Sequence, residues 1–408
     1  MINEATQTFN LLALTGQIQN YDWGGDNYIT KLLKRKNDGK KIAEYWLGAH
    51  RKAPSIIKTS VGNQTLDNFL KRNLKKCLGK RVARKYGRLP FLFKVLDVKK
   101  TLSIQVHPSK KNAEKGFKEE NILGIPLTAP YRNYKDDNHK PEIMVALSEF
   151  WLLHGFLPKS KLITRLEETP EFKKLVNIFK EEGYFGLYKN VMEKSNEEVY
   201  EILKPLIDRI TPLYKNKKLD KNSPDFWAAK VVDESTNNKK LDRGIFSIYF
   251  FNIMKLNKGE AVFQKEGVPH AYLEGQNIEL MANSDNVLRG GLTKKHVDVA
   301  ELLKNIVFEE TNPEVLYGCL KKDNLERVYE TEAKDFELSK INIGESQVYK
   351  AKSRSVEILI VIDGEIEIVE TKSVLNLKKG QSALLKAGSI YKITSKKKAT
   401  IYKAKVPY

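Results

Sequence analysis

The octapeptide Thr101-Leu102-Ser103-Ile104-Gln105-Val106-His107-Pro108 constrains this chain more than any other stretch. Apolar and polar residues alternate along it up to a closing proline, the pattern of a strand. Side chains two apart on a strand share a face. Ser103, Gln105 and His107 are therefore expected together, with Leu102, Ile104 and Val106 on the other side. Further on, His139-Lys140-Pro141-Glu142 opens the apolar run Ile143-Met144-Val145-Ala146-Leu147, and Gly267-Val268-Pro269-His270 supplies a second imidazole. Two histidines, one glutamate and one glutamine on strands form a mixed nitrogen and oxygen donor set suited to a divalent metal. A chain that must bring these positions together is held to a β-architecture with long-range strand pairing.

Around this set the elements read in order. Gln19-Asn20-Tyr21-Asp22-Trp23-Gly24-Gly25 places aromatic rings beside a glycine turn, and Trp23 reads equally as core or as a platform for a sugar face. Glu44 to Gly48 is a short strand, with His50 beyond it as a surface or structural residue rather than a ligand. A short basic helical stretch runs from Leu66 to about Gly87. Phe91 to Val98 is a strand whose one interior cation, Lys94, either reaches solvent or meets an anion. From about 150 to 240 the period becomes helical. Thr169-Pro170 is read as an N-cap, Phe172, Leu175, Val176 and Phe179 as one apolar stripe, and Ser195 with Glu198 as a capping box, with Pro205 kinking the helix that follows. Strand character returns over Gly244 to Leu256. Residues 256–270 then recur at 377–391, an offset of 121 that sets Gly380 on Gly259, Gly388 on Gly267 and Tyr391 on His270. Before that second copy, Asp363-Gly364 is a hairpin signal.

Composition bounds the alternatives. The chain has 408 residues, enough for two or three domains, and its 71 basic against 51 acidic residues leave a formal charge of +20. The lysines are dispersed and no nucleic-acid motif accompanies them, so a solvated basic surface that suits an anionic small molecule is expected, not a nucleic-acid partner. No apolar run approaches the roughly 20 residues of a membrane span, and Met1 to Gln17 lacks the marks of a signal peptide. Two cysteines are too few for a disulfide framework, which fits a reducing cytoplasm.

In sequence order, Gln19 to Gly24, Glu44 to Gly48, Leu89 to Pro108, His139 to Glu142 and His270 to Lys295 together resemble type I mannose-6-phosphate isomerases, over roughly residues 15–310. The resemblance implies a cupin jelly roll with a helical insertion and a second, degenerate cupin-like β-domain at the C-terminus. The expected division is a discontinuous catalytic domain of 1–149 and 241–320, an insertion of 150–240 and a C-terminal domain of 321–408, in a monomer. It implies one Zn²⁺ on Gln105, His107, Glu142 and His270, an active-site arginine at Arg289, and pocket positions at Lys94, Ser103, Lys140, Tyr272, Glu279 and Lys295. From Arg289 to Lys295 the chain departs from the eukaryotic pattern but keeps the arginine and the final lysine.

The chemistry implied is aldose–ketose isomerisation through an enediol. Two neutral imidazoles, an amide and one carboxylate leave a zinc site near +1, which favours developing oxyanion charge. Arg289, which does not deprotonate, is assigned to charge stabilisation. Glu279 or a metal-bound hydroxide is the candidate base, Lys140 orients sugar oxygens, and Lys94, Ser103 and Lys295 are candidates for the phosphate. Two other readings stay open from the residues: an iron-dependent cupin oxygenase and a non-catalytic sugar-phosphate-binding cupin.

Overall fold

A computed structural model describes residues 9–36, 38–59, 62–235, 240–371 and 373–408. Residues 1–8 of the segment weighed as a leader and 236–239 of the helical stretch lie outside it.

The 13-residue strand His270–Ala282 organises the molecule. On one edge it pairs with Phe91–Val98 (Ala282 opposite Phe91) and with Gln105. On the other edge its first half pairs with Phe150–Phe156 and its second half with Glu142–Ala146. The register shifts between Tyr272 and Glu274, beside Gly275 at φ +126°. A Cβ there would lie 2.6 Å from the Glu149 carbonyl, so only glycine lets the strand turn this corner of the jelly roll.

Alternation along these strands separates two environments. Phe91, Phe93, Val95, Ile143, Val145, Ile278 and Leu280 point outward into a core shared with Ile358, Ile360, Leu384 and Tyr402 of the C-terminal strands. The opposite face closes on Leu96, Met144, Val262 and Tyr272 inside the barrel. Lys94, Glu142 and Glu279 stand on that inner face, all buried.

The C-terminal β-domain repeats the plan. Strands Ser373–Lys378, Ser382–Leu385 and Ile390–Thr394 follow one another as Phe251–Leu256, Ala261–Gln264 and His270–Ala282 do. Tyr391, in the place of His270, donates to Glu357 at 2.6 Å. The Lys403 ammonium sits 2.7 Å from both Glu326 and the Tyr349 hydroxyl. A protein cation thus balances the buried carboxylates of this second barrel. Its outer sheet also takes in Leu11–Thr15, with Leu11 opposite Leu385, and beyond that Ile56–Thr59 and Gly62–Thr65.

Several local expectations change. Asp363-Gly364 does not close a hairpin: Glu357–Asp363 pairs with strands 382–385 and 399–405, whereas Glu365–Glu370 pairs with 373–378 and 390–394. The turn carries the chain from one sheet to the other. Residues 244–250 form a helix, not a strand, and every one is buried; an element apolar on all sides has no periodicity to read. Thr169 makes no side-chain cap, because its hydroxyl donates back to the Arg165 carbonyl at 2.8 Å. The capping box at Ser195 and Glu198 is present. Helix Asn196–Lys215 continues through Pro205, and the break in the insertion falls at Gly183 of Lys173–Glu193 instead. Leu102 leaves the face of Ile104 and Val106: those two pack on the helical core, while Leu102 packs inside the barrel with Tyr272.

Candidate metal centre

Three strand ends bring the donors together. His107 directly follows Gln105–Val106, Glu142 opens Glu142–Ala146, and His270 opens His270–Ala282. Glu142 Oε1 lies 3.3 Å from His107 Nε2, and its Oε2 lies 3.5 Å from His270 Nε2. Ligands about 2.1 Å from a tetrahedral ion are separated by about 3.4 Å, so these spacings are the edges of a coordination polyhedron. Both imidazoles are set in the same tautomer. His107 Nδ1 lies 2.9 Å from the Asn286 carbonyl and His270 Nδ1 lies 3.0 Å from the Val268 carbonyl. Each Nδ1–H therefore donates to backbone, leaving Nε2 as a lone pair turned toward Glu142.

Protonation does not fill the gap. Burial, with Lys140 adding to it, takes the His107 imidazole down to about 4, so it is neutral. Its Nε2 is buried without a hydrogen-bond partner among the described residues. Burial works against the Glu142 charge, but Lys140 holds the carboxyl well below its usual range. A neutral lone pair facing an ionised carboxylate across 3.3 Å, with no hydrogen between them, calls for a cation. His107, Glu142 and His270 are the group among the described residues that can hold a metal ion. Gln105 stands opposite both His270 and Arg289 in the strand register, beside this group.

A second buried cluster adjoins it. The Lys94 ammonium donates to Glu279 at 2.8 Å and lies 3.7 Å from Glu44. Tyr272 donates to the other Glu279 oxygen at 2.8 Å and accepts from Gln264 at 3.2 Å. Burial opposes the Lys94 charge, but Glu279 and Glu44 more than offset it and raise its pKa. One ammonium serves two carboxylates here. Burial therefore still raises Glu279, with the charge of Glu142 acting the same way. Lys94, expected either to reach solvent or to meet an anion, meets these carboxylates.

The remaining expected residues take different stations. Lys140 reaches Glu142 at 3.0 Å. Arg289 is half-buried with no hydrogen-bond or ion-pair partner among the described residues, and burial lowers its pKa. Lys295 is exposed, and burial of part of its stem, then Arg289 and Lys52 nearby, lower it. Lys135 is lowered by burial and by a neighbourhood that includes Arg132, Lys52 and Arg289. Arg289, Lys295, Lys52 and Lys135 thus form a cationic rim. Ser103 is half-buried, and Trp23 is half-buried against the inner barrel core with its ring stacked on Tyr21 at 5.7 Å.

Sequence reasoning passed over the residues that orient these groups. The Asn286 side chain accepts from the amides of Lys135 and Asp136 and donates to the Asp136 and Asn138 carbonyls, while its own carbonyl takes His107. His50 and Lys52 hold Asp285 at 3.3 and 2.9 Å. His139, three residues before Glu142, is clamped by Glu266 on one nitrogen and, at 3.0 Å on the other, by Asp335 in the bend before strand Glu337–Ile343. Buried His154 lies opposite His270 on the next strand. A run of Asn, Asp and Lys gives no periodic signal, and only the spacing of His139 from Glu142 was there to be read.

Known proteins resemble this chain. The family model described as phosphomannose isomerase type I, catalytic domain, matches residues 11–159. A mannose-6-phosphate isomerase of Shigella flexneri is 35% identical over 381 residues, covering 92% of this chain and 94% of that one. A point mutant of phosphomannose isomerase from Salmonella typhimurium superposes with a TM-score of 0.89 at 32% identity, over 98% of this chain and 100% of its own. The Salmonella typhimurium mannose 6-phosphate isomerase solved with substrate (f6p) and zinc gives 0.88 at the same identity and coverage. Likeness along nearly the whole length, in sequence and in fold, places this chain in the type I mannose-6-phosphate isomerase family.

Proposed function

We propose that this protein interconverts mannose 6-phosphate and fructose 6-phosphate by proton transfer through an enediol, with one zinc ion held by Gln105, His107, Glu142 and His270. The observation that carries the reading is the orphaned His107 Nε2 facing ionised Glu142, beside a cationic rim fit for a phosphate. Bound zinc supplies Lewis-acid polarisation at the carbonyl end of the sugar. Glu279, buried and raised toward neutrality, takes and returns the proton between C1 and C2. Tyr272 and Lys94 hold that carboxylate in place. Lys140 orients the sugar oxygens. Arg289, half-buried and without a partner among the described residues, stabilises the enediolate charge. Lys295 and Ser103 meet the phosphate, with Lys52 and Lys135 adding to the field. Trp23 is assigned to packing.

The same reading takes 1–149 with 241–320 as the catalytic domain, 150–240 as the insertion and 321–408 as a folded support, in a cytoplasmic monomer. No helix among the described residues is long and apolar enough to cross a membrane. The test is a coupled assay for fructose 6-phosphate together with metal analysis. Turnover that follows zinc content supports the reading. Zinc-loaded protein without turnover, or oxygen uptake on adding Fe(II), refutes it. Arg289→Ala with zinc retained and near-normal turnover removes the arginine from the mechanism.

A further inference from the structure

We propose that Asp242, just past the helical insertion, is a positioning residue that fixes the loop from Arg289 to Lys295 beside the metal centre. The inference rests on the isomerase reading, which gives that loop its work. Asp242 Oδ1 accepts from the Gly244 amide at 2.7 Å and from the Leu292 amide at 2.8 Å, and Oδ2 accepts from the Thr293 amide at 3.1 Å. One carboxylate thus closes its own turn and grips two consecutive amides of the cationic loop, with charge-assisted bonds.

The loop needs this hold. Its first half is fixed by strand pairing: Arg289 lies opposite Gln105, Gly290 donates to the Ile104 carbonyl at 2.9 Å, and Ile104 donates to the Gly291 carbonyl at 3.0 Å. Past Gly291 the ladder ends. Leu292 stands at φ +54°, a left-handed conformation that a branched side chain does not adopt unless surrounding contacts impose it. Arg289 and Lys295, at the two ends, repel each other, and Lys52 adds to the repulsion. The Asp242 bonds fall on the residues between those cations. Packing there leaves no slack: a Cβ on Gly291 would sit 2.5 Å from Gly244 Cα, and one on Gly244 would sit 2.6 Å from the Leu292 nitrogen. The segment that leaves the insertion therefore sets the height of the cationic rim through one side chain.

The test uses full-length, zinc-loaded Asp242→Ala and Asp242→Asn. For each, kcat and KM for mannose 6-phosphate, the inhibition constant of inorganic phosphate, zinc content and Tm are measured. Asp242→Ala is expected to raise KM and the phosphate constant together by about tenfold, with zinc still one per chain, because no ligand lies on this loop. Asp242→Asn keeps the oxygen that serves Gly244 and Leu292 and is expected to fall between. Constants within about twofold of wild type overturn the inference, as does activity lost only in step with zinc and Tm. Should Asp242→Ala not fold, Asp242→Asn decides: both constants raised at an unchanged Tm uphold the proposal, and unchanged constants overturn it. Wild type without turnover sinks the isomerase reading instead, a separate result.

Discussion

Replacing Lys94 with methionine distinguishes a lysine that grips phosphate from one that neutralises buried carboxylates. Its ammonium lies 2.8 Å from Glu279 and 3.7 Å from Glu44. At an effective dielectric of about 20 those separations correspond to roughly 6 and 4.5 kcal/mol of attraction, before the cost of desolvating three ions. Breaking such a buried group by removing one member costs about 3–5 kcal/mol net. Unfolding 408 residues carries an entropy of about 0.9 kcal/mol/K, so Lys94→Met should lower Tm by about 4–6 °C. The methionine keeps the stem, so lost charge and not lost packing is read. Glu279, already raised by burial, rises further, so the acid limb of the turnover profile should move to higher pH. The assays are thermal melts at matched zinc content, a pH profile of the coupled reaction, and inhibition by inorganic phosphate. A Tm within about 1 °C of wild type, with the phosphate constant raised about tenfold, refutes the reasoning and returns Lys94 to the anion.

Removing the metal should cost what its binding contributes. With zinc at about a hundred times its Kd the loss is about 2.7 kcal/mol, or about 3 °C in Tm, and Glu142→Gln should show no shift on chelation. His139 gives a pH dependence. Burial opposes its charge, but Asp335 and Glu266 raise it from 6.5 to about 9. Its contribution is full below 6.5 and is lost as pH rises through 9, about 1–2 kcal/mol after solvent screening. Melts from pH 6 to 10 should show that slope in wild type, and a His139→Gln variant with the same slope refutes the assignment. Gly290→Ala would place a methyl 2.7 Å from the Tyr188 hydroxyl and 2.9 Å from Ile104 Cγ2. It should lower kcat/KM about tenfold with zinc retained, and Tyr188→Phe should recover part of the loss.

Period-two alternation grouped Ser103, Gln105 and His107 before any coordinates, whereas Glu142 was legible only as a donor opening another apolar run. The repeat at 377–391 was legible from glycines in matching turns, and Gly380 and Gly388 share positive φ with Gly259 and Gly267. The carboxylate partners of Lys94 were not legible because Glu44 and Glu279 are distant in sequence and meet it only through sheet register. The Asp363-Gly364 turn was misread for a related reason. Local turn chemistry fixes the bend but not which sheet receives the next strand. The helix at 244–250 carried no pattern because nothing about it faces water.

Strand Leu11–Thr15 finds Ile56–Thr59 early, but its other neighbour is Ser382–Leu385. On a ribosome that edge stands open until residues 382–385 have emerged, exposing unpaired amides and the leucines beside them. Assembly of the outer sheet is thus a late event, and a nascent chain halted before residue 382 should be a client for chaperones. The ligand-bearing strand at 270–282 emerges well before that, so the donor cluster can assemble while the sheet that backs it is still incomplete.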